Sequence, residues 1–163
     1  MRHIDTVVVL ALAAGLLVAS LPFPGAADVA AQGRKDDDKD KKERKEKERK
    51  KREDTLKRIG GEFGAKDTES LLGRVPRKAK IHLTLTPDTN DDYSVAQARG
   101  VLDAWFDKFQ TLTAEFDKAE EGVGSFSLKL RKSGGDKDIK LKLFVTVGSA
   151  DAGYPLTRLS VEK

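Results

Sequence analysis

The sequence predicts an α+β domain with its helices first and an antiparallel sheet last. Three observations carry that prediction. The stretch "SVAQARGVLDAWFDKFQ" holds an apolar stripe at helical spacing. Four later stretches alternate apolar and polar residues with period two and are separated by turn-forming clusters. A fifth alternating stretch precedes the helix, which makes five strands in all.

The chain has 163 residues, enough for one domain. Its front end stands apart. Arg2 and His3 precede the apolar run "TVVVLALAAGLLVAS", "LPFPG" breaks it, and small residues follow in "AADVAAQ". That order is a secretory signal peptide over residues 1–31, cut after Ala31 with Val29 and Ala31 as its small residues, or else after Ala27. The alternative is an uncleaved anchor, but the apolar run falls short of the ~20 residues that span a bilayer. The expectation is a secreted or periplasmic protein with no membrane span after cleavage. There is no cysteine, which excludes disulfides, thiolate metal sites and a thiol nucleophile. An exported domain without disulfides fits a bacterial source.

Residues 32–54 form a spacer. From Arg34 to Asp54 twelve basic and nine acidic residues follow one another without interruption. Asp37–Lys41, Asp38–Lys42, Asp40–Arg44, Glu43–Lys47, Glu46–Lys50 and Glu48–Arg52 are acid-before-base pairs four residues apart, the orientation that supports a helix. The spacing predicts a solvated helix, frayed at its start and merging into the first helix of the domain; a disordered linker is the alternative. Without an apolar stripe the run has no face for a coiled coil, so residues 34–50 are expected to be dispensable for folding. A hook for anionic lipid or polysaccharide is the competing use, and the interspersed acids oppose it.

The domain is expected over 55–163, where 18 basic residues meet 16 acidic ones. The basic character of the chain is therefore not a basic domain, and specific nucleic-acid binding is excluded on charge. Leu56, Ile59 and Phe63 share a helical face that Gly64 ends. Asp67 or Thr68 caps a second short helix carrying Leu71 and Leu72. "KIHLTLTP" alternates Ile81, Leu83 and Leu85 against His82, Thr84 and Thr86 until Pro87 stops it. Ser94 and Gln97 then make a capping box. Behind it Val95, Ala98, Val101, Leu102, Trp105, Phe106 and Phe109 fall within an arc of about 140°. The meander follows: Leu112, Ala114 and Phe116; Phe126, Leu128 and Leu130; Ile139, Leu141, Leu143, Val145 and Val147; and finally Leu159 and Val161.

This order resembles the nuclear transport factor two-like superfamily, which also holds ketosteroid-isomerase-like and SnoaL-like proteins. Residues 55–163 look like a family of exported bacterial proteins of unknown function within it. "IGGEF…KDTESLL", "IHLTL" and "YSVAQARGVLDAWF" carry the resemblance. It implies a cone: a curved antiparallel or mixed five-stranded sheet wrapped on a long helix, with two short N-terminal helices and the first strand beside the last. It also implies that any acid–base chemistry would use Asp, His or Tyr inside the cone.

No such constellation is legible, so no catalytic residue is assigned. Alternation puts His82 on the outer face, and Tyr93 precedes a helix cap as a packing residue. No metal site and no cofactor motif is present in the sequence; "DDDKD" is a poor cation site. An apolar pocket inside the cone would be lined by Leu83, Leu85, Leu102, Trp105, Phe106, Phe116, Phe126 and Leu141. Outward-facing Phe144, Tyr154 and Leu156 are expected to form a homodimer face. Two functions follow: a non-catalytic binding or assembly module for an unknown protein or apolar ligand, or a small-molecule enzyme or carrier. A filled cone favours the first, and a void of several hundred Å³ revives the second.

Overall fold

The structure, a computed structural model, describes residues 26–163. The expected signal peptide and its apolar run therefore lie largely outside the described residues. Among those described, no helix is long and apolar enough to cross a membrane. The chain divides into a stretch ending at Lys39, helical from Ala26, and a compact unit from Asp40 to Lys163.

Helix α1 (Ala26–Gly64) runs unbroken from the charged run into the domain, the merged helix that the charge spacing predicts in place of a separate short one. Its last part is fixed by burial. Leu56, Ile59 and Phe63 have no accessible surface. Helix and sheet approach closely here because Gly60 has no side chain: a Cβ there would lie 2.0 Å from Cε1 of Phe126. Gly124 is the matching small position on the sheet, 3.2 Å from Leu56 by the same measure.

Helix α2 (Thr68–Gly73) is capped by Asp67, whose carboxylate accepts from the Ser70 amide at 3.0 Å. Arg74 grips Glu62 of α1 through two guanidinium nitrogens at 2.8 and 2.5 Å. The carboxylate raises the already high pKa of that guanidinium, and the two-point geometry fixes the α1–α2 corner.

Strand β1 (Lys80–Thr86) shows the expected alternation, with Ile81, Leu83 and Leu85 buried and His82, Thr84 and Thr86 half-exposed. Strand β2 (Thr89–Ser94) pairs antiparallel with it through a turn at Pro87 and Asp88. Helix α3 (Val95–Phe106) carries the predicted capping box, with both reciprocal bonds between Ser94 and Gln97 formed. It buries Ala98, Leu102, Trp105 and Phe106. Phe109 lies beyond the helix and opens β3 (Phe109–Glu120). Strands β4 (Val123–Lys132), β5 (Asp138–Val147) and β6 (Leu156–Glu162) complete the meander.

The sheet is mixed and curled, with strand order β2-β1-β6-β5-β4-β3. Only β1 and β6 are parallel, with His82 opposite Arg158 and Thr84 opposite Ser160. The α+β cone is as predicted, but the sheet has six strands rather than five because β2 joins its edge.

The charged run is not wholly a spacer. Its final turns touch the domain: the Tyr154 hydroxyl donates to the Glu48 carbonyl at 3.2 Å, and the Arg52 guanidinium lies 5.6 Å from the Tyr154 ring centre. This contact also corrects the expected dimer face. Tyr154 and Leu156 are 5% and 1% exposed and belong to the core. The cause is an irregularity in β6. Thr146 faces Arg158 while the next residue, Val147, faces Leu156, so Thr157 bulges and turns Leu156 inward with Leu159. Phe144 alone remains on the outer face, half-buried between Ser125 and Ser160 of the adjoining strands.

Candidate functional site

The inner faces of the strands and one side of α3 build a core that closes at its narrow end. Leu83, Leu102, Phe106 and Phe126 are buried there among other side chains. Phe116 is half-buried in another place, with its ring 5.4 Å from that of Phe126 and the Lys57 ammonium 4.9 Å over it. Five of the eight expected pocket residues thus stand apart from the cleft that the other three line.

The other three, Leu85, Trp105 and Leu141, line an open cleft of about 650 Å³ at the wide end. Phe109, Leu130, Ile139 and Val161 continue its apolar wall. The edge comes from Thr84, Thr86 and Pro87 at the end of β1, Lys132 at the end of β4, and Glu162 and Lys163 at the end of the chain. Each wall residue arrives by its element's own periodicity. Leu85 ends the inward row of β1, Leu130 that of β4 and Val161 that of β6, while Ile139 and Leu141 begin that of β5.

Trp105 is set firmly in this wall. Its ring lies 5.5 Å from Phe63, 5.6 Å from Phe106 and 4.8 Å from Phe109, all in tilted or edge-on arrangements. Such pairs add to simple burial and hold ring orientation. Behind Trp105, the Thr68 hydroxyl donates to the Asp103 carboxylate at 2.6 Å, and the Lys66 ammonium donates to the Phe109 carbonyl. These bonds tie α2 and the turn before it to the wall.

The titratable groups lie elsewhere or at the rim. His82 is on the outer face, as alternation predicts. Its Nδ1 is 2.9 Å from an Asp92 carboxylate oxygen and its Nε2 is 3.1 Å from the Asn90 side-chain oxygen, so both nitrogens are engaged on β2. Tyr93 packs partly buried against the core. Among the described residues, no three or more His, Asp and Glu side chains gather as a metal site. The outer face carries paired charges. Asp138 meets Lys129 at 3.0 Å and Arg131 at 2.8 Å; Asp117 meets Lys142 at 2.8 Å. Hydrogen bonds from these cations hold both carboxyls below their usual pKa.

No family model matches this chain, and no curated protein matches it. Solved structures do. An uncharacterised cystatin-fold protein from Novosphingobium aromaticivorans is similar at 12% identity, covering 68% of this chain and 96% of its own, with a TM-score of 0.50. AusH from Aspergillus nidulans is similar at 13% identity, covering 69% and 83%, with a TM-score of 0.52. A candidate polyketide cyclase from Acidithiobacillus ferrooxidans is similar at 14% identity, covering 68% and 86%, with a TM-score of 0.50. At these identities the likeness concerns the fold, which is the cystatin-like, nuclear transport factor two-like cone.

Proposed function

We propose that this chain is an exported, non-catalytic binding module that seats an apolar small molecule in the wide end of its cone. The observation that carries the reading is the cleft itself: about 650 Å³, walled by Leu85, Trp105, Phe109, Leu130, Ile139, Leu141 and Val161. A volume of a few hundred Å³ with a mostly apolar wall suits a small ligand. Acid–base chemistry would need a group of matched pKa against that ligand. His82, Asp92 and Tyr93 are not among the residues that line the cleft. The fold is also that of a candidate polyketide cyclase, so an enzyme reading differs from this one in what the wall contains rather than in architecture.

Trp105 is the sole tryptophan, which supplies a direct test. Titration with uncharged N-phenylnaphthylamine is expected to change Trp105 emission saturably, at one molecule per chain. Ile139→Glu, at a half-buried position of the wall, is expected to abolish the change while circular dichroism stays the same. A wild-type chain that shows no saturable change overturns the binding reading. Export is tested separately by N-terminal sequencing of protein from the cell exterior or periplasm. A chain beginning near Gln32 supports it, and one still beginning at Met1 opposes it.

A further inference from the structure

We propose that the ligand of this cleft carries an uncharged oxygen acceptor, a ketone or ester carbonyl on an apolar body, and that this oxygen meets the indole N–H of Trp105. The proposal rests on the binding reading above and adds the polar group that the site recognises.

The other wall residues, Leu85, Phe109, Leu130, Ile139, Leu141 and Val161, bring no side-chain donor. The indole does: its N–H donates and cannot accept. A buried tryptophan N–H ordinarily finds a protein acceptor. This one donates to no acceptor of a described residue. Acceptors of adjoining residues are engaged by other donors. The Phe109 carbonyl takes the Lys66 ammonium, and the Asp103 carboxylate takes the Thr68 hydroxyl.

Nor is the N–H sealed in the core. Among the described residues, Arg52 Nε is the one buried side-chain nitrogen or oxygen that lacks both a partner and accessible surface. The Trp105 nitrogen therefore keeps some surface, in a residue that is only 4% exposed. The rings of Phe63, Phe106 and Phe109 occupy other sides of the indole, with centroids 5.5, 5.6 and 4.8 Å away. The side left open is the cleft that Trp105 lines.

One donor in an apolar wall selects its occupant. A hydrocarbon would cover the N–H and leave it unsatisfied, which is destabilising. A carboxylate or sulfate against that wall would give up its hydration for a single bond. A carbonyl oxygen loses less water and gains the bond. Lys132, Lys163 and Glu162 at the mouth carry both signs and favour neither. The competing account is an indole that bonds water in the free protein and never a ligand.

The experiment uses two probes of one shape, 2-acetylnaphthalene and 2-isopropenylnaphthalene, in which a methylene group replaces the carbonyl oxygen. Each displaces N-phenylnaphthylamine from the full chain, followed by the emission of the dye. The two probes differ in hydrophobicity, so the quantity compared is their affinity ratio in the wild type and in Trp105→Phe. In the variant the ratio is expected to move about fivefold toward the hydrocarbon, the effect of one hydrogen bond. NMR gives a second readout that needs no variant. Trp105 is the sole tryptophan, so the chain has one indole N–H resonance. In the free chain it is expected to exchange readily with water. With acetylnaphthalene bound, its proton should lie downfield of its position with isopropenylnaphthalene bound. An unchanged ratio in a folded Trp105→Phe chain, coincident resonances in the two complexes, or an indole proton protected from exchange in the free chain overturns the acceptor and leaves the apolar site standing. Failure of N-phenylnaphthylamine and of both probes to bind overturns both readings.

Discussion

Helix α1 contains two regions that share a backbone conformation and little else. From Asp40 to Lys51 every residue is exposed. A few residues later Leu56, Ile59 and Phe63 have no accessible surface at all. The first region depends on charge spacing and helix propensity, each contributing a few tenths of a kcal/mol per pair or residue. The second depends on packing against β4 and α3. A helix assignment therefore says nothing of what holds the helix. In this chain the change from one cause to the other falls between Glu48 and Leu56, where Tyr154 and Arg52 make the first contacts.

The contrast breaks most visibly at Phe63. Phe63→Ala should cost about 3–5 kcal/mol in urea denaturation, because it opens a cavity beside Trp105 and Phe106. A loss below 1 kcal/mol would mean that the packed half is not anchored. Gly60→Ala sets the two causes against each other. Helix propensity alone favours alanine by about 1 kcal/mol, whereas its Cβ meets the Phe126 ring, an overpacking that costs about 1–3 kcal/mol. Net destabilisation is expected, and stabilisation would show that α1 can move away from β4. Tyr154→Phe removes the bond to the Glu48 carbonyl and should cost about 1 kcal/mol. Deleting residues 34–46, which stops short of that contact, should change the unfolding midpoint by under about 0.5 kcal/mol.

The smallest effect concerns pH. Lys57 donates to Glu53 at 2.7 Å on the exposed side of α1 and holds that carboxyl below its usual pKa. A depressed carboxyl pKa adds stability above the unfolded value, about 4.5, and loses it as pH falls through the folded value. Carboxyl NMR should therefore give Glu53 a midpoint below 4.5, and Lys57→Met should return it toward 4.5. An unchanged midpoint in the variant would mean that the pair does not persist in solution.

Much of this molecule was legible because its elements obey single periods. The inward rows of β1, β4 and β5 and the stripe of α3 follow from alternation or from 100° spacing. What escaped had a different physical origin. Strand β2 reads Thr89, Asn90, Asp91, Asp92, Tyr93 and Ser94, with no apolar alternation, because it is a sheet edge whose middle residues, Asn90 to Asp92, face water. Its signal was the Pro87–Asp88 turn, which marks a hairpin as well as an end. Tyr154 and Leu156 were misplaced because one bulged residue, Thr157, reverses the parity of everything before it. Tyr154 also takes a positive φ of 57°, a conformation that no period anticipates. For the site, the composition of the cone was evident, but not where it is filled. Part of the filling comes from α1, whose close approach to β4 depends on Gly60 and Gly124, two residues that no apolar pattern marks.

The place of β6 in the sheet has a consequence for how the chain reaches its native state. The β1–β2 hairpin and the β3–β4–β5 meander are each built from neighbours in sequence, and β6 is the strand that joins them. Joining them sets His82 beside Arg158. Such a closure sacrifices chain entropy before it gains contacts, which slows folding. A chain emerging N-terminus first from a ribosome can form both pieces early, yet it has to wait for β6 before they become one sheet. Until then the edges of β1 and β5 stand unpaired, and the interval before β6 arrives is when those edges are most open to aggregation.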